Sequence, residues 1–397
     1  MTETTVGDFC PFIYGRHLSS GDRRQGPVPV YGSNGIIGWH DHALTNGPTV
    51  IIGRKGTVGQ VSYSPVSCWP IDTTFYVEAS VERDVRFVYF LLSALGLETM
   101  NSDSAVPGLN RDAAHSRSIL VPRVAEQRAI AHILGALDDK IDLNRRMNET
   151  LEAMTRALFK SWFVDFDPVR AKVEGRDPGL PADVAALFPD SLQDSGLGEI
   201  PQGWSVGSVD DEFELTMGQS PPGETYNEMG VGLPFYQGRA DFGVRFPTRR
   251  VYCTTPTRFA STGDTLVSVR APVGDVNMAT ERCAIGRGVA AVRHKTGSRS
   301  FTYQFMGSID DVFAQFDAEG TVFGSIGKKD FHAIPCVRPP HKVVLEFERR
   351  LSPVDSRIEV NERESCTLGA LRDTLLPKLL SGEVHVKDVE CVEDVSS

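Results

Sequence analysis

One long stretch of the chain, residues 125–164, constrains the possible folds more than any other. Apolar, small or amide side chains recur along it at alternating steps of four and three residues, which is the seam of a coiled-coil helix. The seam positions are Ile130, Leu134, Leu137, Ile141, Asn144, Asn148, Leu151, Thr155 and Leu158. Charged residues fill most of the other positions, so this helix can bury only one narrow stripe. It therefore needs a partner helix.

A second seam lies 217 residues further along the same chain. Seven of its nine positions carry the same type of side chain as the equivalent positions of the first seam, and Asn361 is equivalent to Asn144. The positions are Phe347, Leu351, Val354, Ile358, Asn361, Ser365, Leu368, Arg372 and Leu375. Two seams at a fixed offset indicate an internal duplication. We therefore predict two long helices, at 123–164 and 339–380, that pair with each other.

Pro353 lies inside the second seam. A proline in a helix interior costs roughly 3 kcal/mol or kinks the helix. Ser352, Pro353 and Asp355 also suit the N-cap, the first position and the third position of a new helix. We expect a kink or a restart at this proline.

Length and composition are those of a globular protein with two or three domains. The 397 residues are 41% hydrophobic and 23% charged, which excludes a disordered or fibrous class. There is no apolar run long enough to span a membrane and no signal sequence, so we expect a cytoplasmic location. The seven cysteines lie far apart without a CxxC pair, which excludes a simple zinc ribbon and favours free thiols.

Strand signals precede both long helices in the same order. Residues 27–40 and 49–64 each contain two short β-branched runs joined by a Gly-rich turn. Corresponding segments follow at 233–238 and 266–277, and their offsets of 205 and 216 place about eleven extra residues in the second copy. A stretch rich in Pro, Gly and Asp at 169–203 indicates a linker between the copies.

Known catalytic motifs are not evident in the sequence. The Gly-rich turn at 53–59 lacks the spacing of a phosphate-binding loop, and 218–222 is not a nucleophile elbow. His40, Asp41 and His42 could suggest a metal site, but neighbouring strand residues point to opposite faces, so a surface turn is favoured. We therefore predict that this chain has no catalytic residues, no metal site and no cofactor of its own.

Basic residues are concentrated in the second copy, although the net charge is −11. Residues 239–299 contain eleven Lys or Arg against four Asp or Glu. Arginine suits guanine edges and phosphates, and Gly-rich turns let the backbone approach a partner closely. For any single residue a solvated loop is the simpler interpretation, but the set as a whole favours DNA. The candidate DNA contacts are Tyr31, Ser33, Asn34, Arg54, Lys55, Asn110, Arg111, Tyr236, Gln237, Arg239, Arg249, Arg250, Arg270, Lys328 and Lys329.

Several segments resemble one known family, the specificity subunits of Type I restriction-modification enzymes. The segments LFKSWFVDFDP (158–168) and LLPKLLSGEV (375–384) are the most specific of them. The resemblance covers essentially the whole chain. Further segments that carry it are 122–169, 198–204 and 217–227, and 30–38 and 69–77 resemble a common target-recognition domain of that family.

The resemblance implies an α+β fold with two tandem target-recognition domains of similar, strand-rich architecture. Two long helices packed as an antiparallel coiled coil would separate the domains and complete an internal pseudo-two-fold repeat. In this arrangement Asn144 lies opposite Asn361, and a buried Asn pair fixes helix register. The expected ranges are 1–122 and 201–338 for the recognition domains, 123–164 and 339–380 for the spacer helices, 165–200 for the linker and 381–397 for the tail.

The resemblance also implies a function. Each recognition domain would read one half of a bipartite site in double-stranded DNA, while the helices set the spacer and dock two methyltransferase (modification) subunits. Restriction subunits would join for cleavage, and S-adenosylmethionine, ATP and Mg would belong to the partner subunits. The 29-residue seam spans about 44 Å, more than one DNA turn of about 34 Å. Two alternatives remain open: an enzyme with its own nuclease or methyltransferase centre, and a coiled-coil protein that binds only proteins.

Overall fold

The computed structural model describes residues 1–100, 108–318 and 324–386. These residues form two compact units. The first unit comprises Met1–Arg145 together with the chain from Asn361 onward, and the second unit is Arg146–Val360. Cys391 and the rest of the predicted tail beyond 386 lie outside the described residues.

Helices of very different length are found along the described ranges. They are α1 Val6–Phe9, α2 Val85–Ser93, α3 Arg111–His115, α4 Val124–Phe163, α5 Asp167–Val173, α6 Ala182–Ala185, α7 Val209–Glu212, α8 Arg299–Ser308, α9 Asp310–Ala318, α10 Lys328–Ala333 and α11 His341–Ser381. Within the part of the chain that the structure describes, none of them is long and apolar enough to cross a membrane.

The strands are short, as expected for sheets built from hairpins. They are β1 Thr2–Thr5, β2 Ile13–Tyr14, β3 Val28–Gly32, β4 Gly35–His40, β5 Thr49–Gly53, β6 Val61–Ser64, β7 Trp69–Pro70, β8 Thr74–Glu78, β9 Ser118–Val121, β10 Leu192–Ser195, β11 Gly198–Pro201, β12 Ser205–Ser208, β13 Phe213–Met217, β14 Tyr226–Asn227, β15 Leu233–Tyr236, β16 Tyr252–Cys253, β17 Phe259–Ala260, β18 Thr265–Ser268, β19 Val276–Met278, β20 Cys283–Ile285, β21 Val289–His294 and β22 Pro335–Arg338.

The two units contain sheets of matching strand order. The antiparallel sheet of the first unit has the order β2-β8-β5-β6, and that of the second has the order β13-β21-β18-β19. A parallel pair, β3 with β7, recurs as β15 with β20. The antiparallel pair β1 with β9 recurs as β12 with β22. The two units thus share their strand order and pairings, which is what an internal repeat requires.

Each unit has its own hydrophobic core. In the first unit, α2 covers the sheet, and all five residues of β5 are buried. In the second unit the end of α4 contributes an aromatic cluster, in which the rings of Trp162 and Phe163 lie 5.8 and 5.1 Å from that of Phe347. Burial of large rings is a major source of folding free energy. The specific segment at 158–168 is therefore part of this core.

The long helices pack in opposite directions within each unit. In the first unit Arg372 Nη1 lies 2.6 Å from Asp138 Oδ1, and Asn144 Nδ2 donates to Glu364 Oε2 at 2.8 Å. Residues further along α4 therefore contact residues earlier in α11, which is antiparallel packing. The second unit shows the same trend, because Asn148 contacts Ile358 and Phe159 contacts Phe347. Every predicted seam position is buried or half-buried.

Pro353 does not interrupt the second long helix. Helix α11 continues through this residue, so the predicted restart is wrong. Leu351, Asp355 and Ile358 on either side are buried. The packing of these neighbouring turns outweighs the roughly 3 kcal/mol that an interior proline costs.

Candidate nucleic-acid interface

A cleft of about 720 Å³ opens on the second unit, and basic residues line it. Four predicted contacts are among the lining residues, namely Gln237, Arg239, Arg250 and Arg270. Strands β15 and β20 are parallel neighbours and end at one edge, and the turn after β18 reaches the same place. Residues that are well separated in sequence are thus brought together by the ends of three strands.

Two of the cleft arginines are held by acidic neighbours. Arg250 Nη2 lies 2.5 Å from Asp241 Oδ1, and this hydrogen bond raises the pKa of Arg250. Asp241 is buried, and its Oδ2 also accepts a hydrogen bond from the backbone amide of Gln237 at 2.7 Å. Arg239 Nε lies 2.8 Å from Asp275 Oδ2. These pairs fix the direction of both guanidinium groups at the rim of the cleft.

Arg270 and Arg287 are the cleft cations most available to an external partner. Both are exposed, and neither forms an ion pair within the described ranges. Arg287 is not among the predicted DNA contacts. It lies in the turn Gly286-Arg287-Gly288, and an arginine in a Gly-rich turn is the pattern on which Arg54 was predicted. A Cβ atom at Gly288 would lie 2.3 Å from the Gln237 carbonyl oxygen, so the close approach of these two turns requires glycine.

In the first unit, two predicted contacts gather around Tyr14. The guanidinium carbons of Arg54 and Arg111 lie 5.3 and 5.1 Å from its ring centroid, which is cation–π distance. Arg54 also donates through Nε and Nη2 to the Asp72 carbonyl oxygen at 3.2 and 2.8 Å. Much of the hydrogen-bonding capacity of this guanidinium is therefore used within its own unit. Tyr14 is 50% exposed and was missed because nothing in its local sequence marks it.

Other predicted residues of the first unit lie on the neighbouring turns. A Cβ at Gly56, whose φ is +81°, would lie 3.0 Å from Ser33 Oγ, so the hairpin turn and the Arg54 turn adjoin. Asn34 and Lys55 are exposed. Asn110 caps α3, because its side-chain oxygen accepts from two amides of the first turn at 3.0 Å. As DNA contacts, these residues remain predictions.

Five predicted residues lie outside these groups. Tyr31 and Tyr236 are only 6% and 2% exposed, and burial raises the pKa of both phenols. Both side chains pack in buried clusters of their own units and are therefore not available to a DNA partner. Arg249 pairs with Glu281 at 2.5 Å, away from the cleft lining. Lys328 and Lys329 are exposed at the start of α10 and remain predictions.

His40, Asp41 and His42 bring three possible metal-ligand atoms within 4.8 Å of one another. Nδ1 of His40 accepts from the Arg24 amide at 3.0 Å, which leaves the ring proton on Nε2, facing Asp41 Oδ1 at 3.3 Å. Arg24 also pairs with Asp41 Oδ2 at 2.9 Å. A metal would need the nitrogen that carries this proton. A hydrogen-bonded turn is therefore still the better interpretation.

Comparison with known proteins gives consistent matches to one family. Residues 1–153 match the family model described as the Type I restriction modification DNA specificity domain. The chain is 31% identical over 283 residues to the MjaX specificity subunit of Methanocaldococcus jannaschii, and the match covers 70% of this chain and 62% of that protein. It thus spans less than two thirds of that relative. The HindI specificity subunit of Haemophilus influenzae is 25% identical over 335 residues, covering 70% and 71% of the two chains.

The fold also has a counterpart among solved structures. It matches the S subunit of a Type I restriction-modification system from M. genitalium with a TM-score of 0.66, over 96% of both chains and at 15% identity. At this identity the likeness concerns the fold, and it confirms the predicted mixed α+β architecture. The resemblance carried by the sequence segments is confirmed as well: residues 1–153 match the specificity-domain model, and over 70% of its length the chain is similar to two Type I specificity subunits.

Proposed function

We propose that this chain is a non-catalytic subunit that gives a Type I restriction-modification complex its DNA sequence specificity. Each unit carries one target-recognition domain that reads one half of a bipartite site in double-stranded DNA. The observation that carries the proposal is the repeated placement of basic turns. Arg54 follows β5 and Arg270 follows β18, which are equivalent strands of two sheets with the same order.

The main alternative is an enzyme with its own nuclease or methyltransferase centre. Metal-assisted phosphodiester chemistry needs grouped carboxylates to hold the ions. Among the described residues that line the cleft, Asp241 is the sole acid, and it is already paired with Arg250. A protein that binds only other proteins is the second alternative. The exposed Arg270 and Arg287 favour a phosphate-bearing partner over it.

We propose further that the long helices dock two methyltransferase subunits, which restriction subunits then join. The support for this is that both helices carry exposed apolar side chains outside the seam. S-adenosylmethionine, ATP and Mg²⁺ are bound by those partners. The exposed apolar residues of the two helices are Leu143, Met154, Leu345, Val360 and Leu371.

Selection of bound duplexes from a randomised pool tests the proposed function. The full chain, together with its methyltransferase partner, should enrich a split motif. The logarithm of the binding constant should fall with the logarithm of salt concentration by about 0.9 per phosphate contact. The chain alone, given S-adenosylmethionine and Mg²⁺, should transfer no methyl groups. Failure to enrich any motif would contradict the proposal, and methylation by the lone chain would favour the enzyme.

The long helices lead to a prediction about spacing. Helices α4 and α11 contain 40 and 41 residues, or about 60 Å each at 1.5 Å per residue. We expect one heptad inserted beside Asn144 and another beside Asn361 to lengthen the preferred spacer and leave both half-sites unchanged. Seven residues keep the seam in phase, whereas a four-residue insertion, as control, takes it out of phase. An unchanged spacer in the same selection would count against the helices as spacers.

A further inference from the structure

A buried arginine joins a segment of the second unit to both long helices. Arg245 is only 1% exposed. Its Nη1 lies 2.7 Å from Glu152 Oε1 on α4, and its Nη2 lies 2.5 Å from Asp355 Oδ1 on α11. Its guanidinium carbon lies 4.0 Å from the ring centroid of Tyr303. One side chain therefore binds both helices of the pair.

The surroundings of Arg245 suit a permanent charge. The Asp355 side chain is 3% exposed, and its second oxygen accepts from the Ser300 hydroxyl at 2.5 Å. Burial by itself lowers the pKa of Arg245, but the charges of Asp355 and Glu152 raise it above its ordinary value. Buried charges persist when they are paired and hydrogen-bonded. The buried Arg245 and Asp355 and the half-buried Glu152 therefore form one charged network.

Backbone hydrogen bonds hold the chain on either side of Arg245 to the part that lines the cleft, since the Gly243 amide donates to the Phe246 carbonyl oxygen at 3.1 Å and the Thr248 amide donates to that of Asp241 at 2.8 Å. We call residues 239–250 the cleft segment, since they carry Arg239 and Arg250 to the cleft lining. Within the segment, Arg239 Nη1 donates to the Phe242 carbonyl oxygen at 3.2 Å, and Asn277 Nδ2 donates to that of Gly243 at 3.1 Å. Arg245 and the two cleft arginines therefore belong to one hydrogen-bonded segment.

In the first unit, the carboxylate equivalent to Asp355 has a different partner. Asp138 of α4 lies 217 positions before Asp355, and it pairs with Arg372 of α11 at 2.6 Å. The position equivalent to Glu152 is Gly369. In the first unit this carboxylate therefore joins one helix to the other. In the second unit it joins the helix to the recognition domain.

We propose that Arg245 is a positioning residue for DNA recognition. It fastens the cleft segment to the paired helices and so sets the direction of the cleft arginines. Reading of the second half-site therefore depends on helix pairing at Glu152 and Asp355, whereas reading of the first half-site does not. This inference rests on the proposed function.

The test uses the full chain and the randomised-duplex selection described above. The triple variant E152Q/R245M/D355N removes the three charges together, which avoids stranding a buried carboxylate. We expect it to keep the first half-motif, to lose at least tenfold in preference at the second, and to show a weaker salt dependence. The double variant D138N/R372M is the matched control, because it removes the equivalent pair of the first unit. It should leave the second half-motif unchanged.

A second variant covers the case in which the triple variant does not fold. R245K keeps the charge, but lysine lacks the planar fork that bridges two carboxylates. We expect a smaller loss of preference, confined to the second half-motif. If the triple variant folds and keeps the wild-type motif and salt dependence, this inference is overturned. If it does not fold, the same result for R245K overturns it. The proposed function would still stand in either case, because the wild-type chain selects a split motif. A wild-type chain that selected no motif would overturn the proposed function and this inference together.

Discussion

Replacing Arg245 with Met should destabilise the second unit by about 3–5 kcal/mol, which is the usual cost of removing one partner from a buried ion pair. Asp355, whose side chain is 3% exposed, and the half-buried Glu152 would remain without the cation between them. Urea denaturation, followed by circular dichroism and by the fluorescence of Trp162 and Trp204, would measure the change, since both tryptophans are buried in this unit.

Two controls separate the buried charge from other effects of this substitution. The triple variant E152Q/R245M/D355N should recover part of the lost stability, because it no longer leaves carboxylates without their cation. Arg258 is an exposed arginine of the same unit, and Arg258→Met should change the free energy of unfolding by no more than about 0.5 kcal/mol. A loss below about 1 kcal/mol for R245M would argue against a buried network.

The double variant R270A/R287A should weaken binding of the selected duplex by about 2–6 kcal/mol, at about 1–3 kcal/mol for each arginine that contacts a base edge. Both side chains are exposed in the cleft of the second unit and form no ion pair within the described residues. Because neither arginine is paired with a carboxylate, removing it leaves no unpaired acid, and the loss of its DNA contact is measured directly. Fluorescence anisotropy with a labelled duplex at several salt concentrations measures the effect.

The pattern of loss distinguishes two roles for these arginines. If they read bases, the loss is confined to duplexes that carry the second half-site. If they bind phosphates, binding to unrelated DNA weakens equally and the salt slope falls by about 1 for each residue. Arg258→Ala is the control, since this exposed arginine does not line the cleft. Binding of the double variant within twofold of the wild type would remove both residues from the interface.

The helices and hairpins could be predicted from sequence because their burial follows local spacing. Leu134 and Ile358 are fully buried, as the alternating steps of four and three require. The predicted hairpin at 27–40 is the antiparallel pair of β3 and β4. The Gly-rich turns also placed Arg54 and Arg270 correctly at the ends of equivalent strands. In these elements the periodicity of neighbouring residues determines the outcome.

The remaining features depend on residues that are distant in sequence. Arg245 looks like the other arginines around it, and its burial is decided by Glu152 and Asp355, which lie 93 and 110 positions away. Tyr31 turns inward next to a register shift in β3, where simple alternation of faces no longer holds. Arg54 is engaged by a carbonyl group that only the folded sheet brings close. Local sequence patterns contain none of this information.

The different partners of Asp138 and Asp355 limit how this protein can be rebuilt. If the segment that carries Arg245 were transplanted from the second unit onto the helices of the first, Arg245 would meet Asp138 with Arg372 already bound to it. It would also find Gly369 where Glu152 should be. Two guanidinium groups would then compete for one half-buried carboxylate. The smallest transferable module of the second half therefore includes the adjoining turns of both helices, and a graft cut at the domain boundary alone would fail.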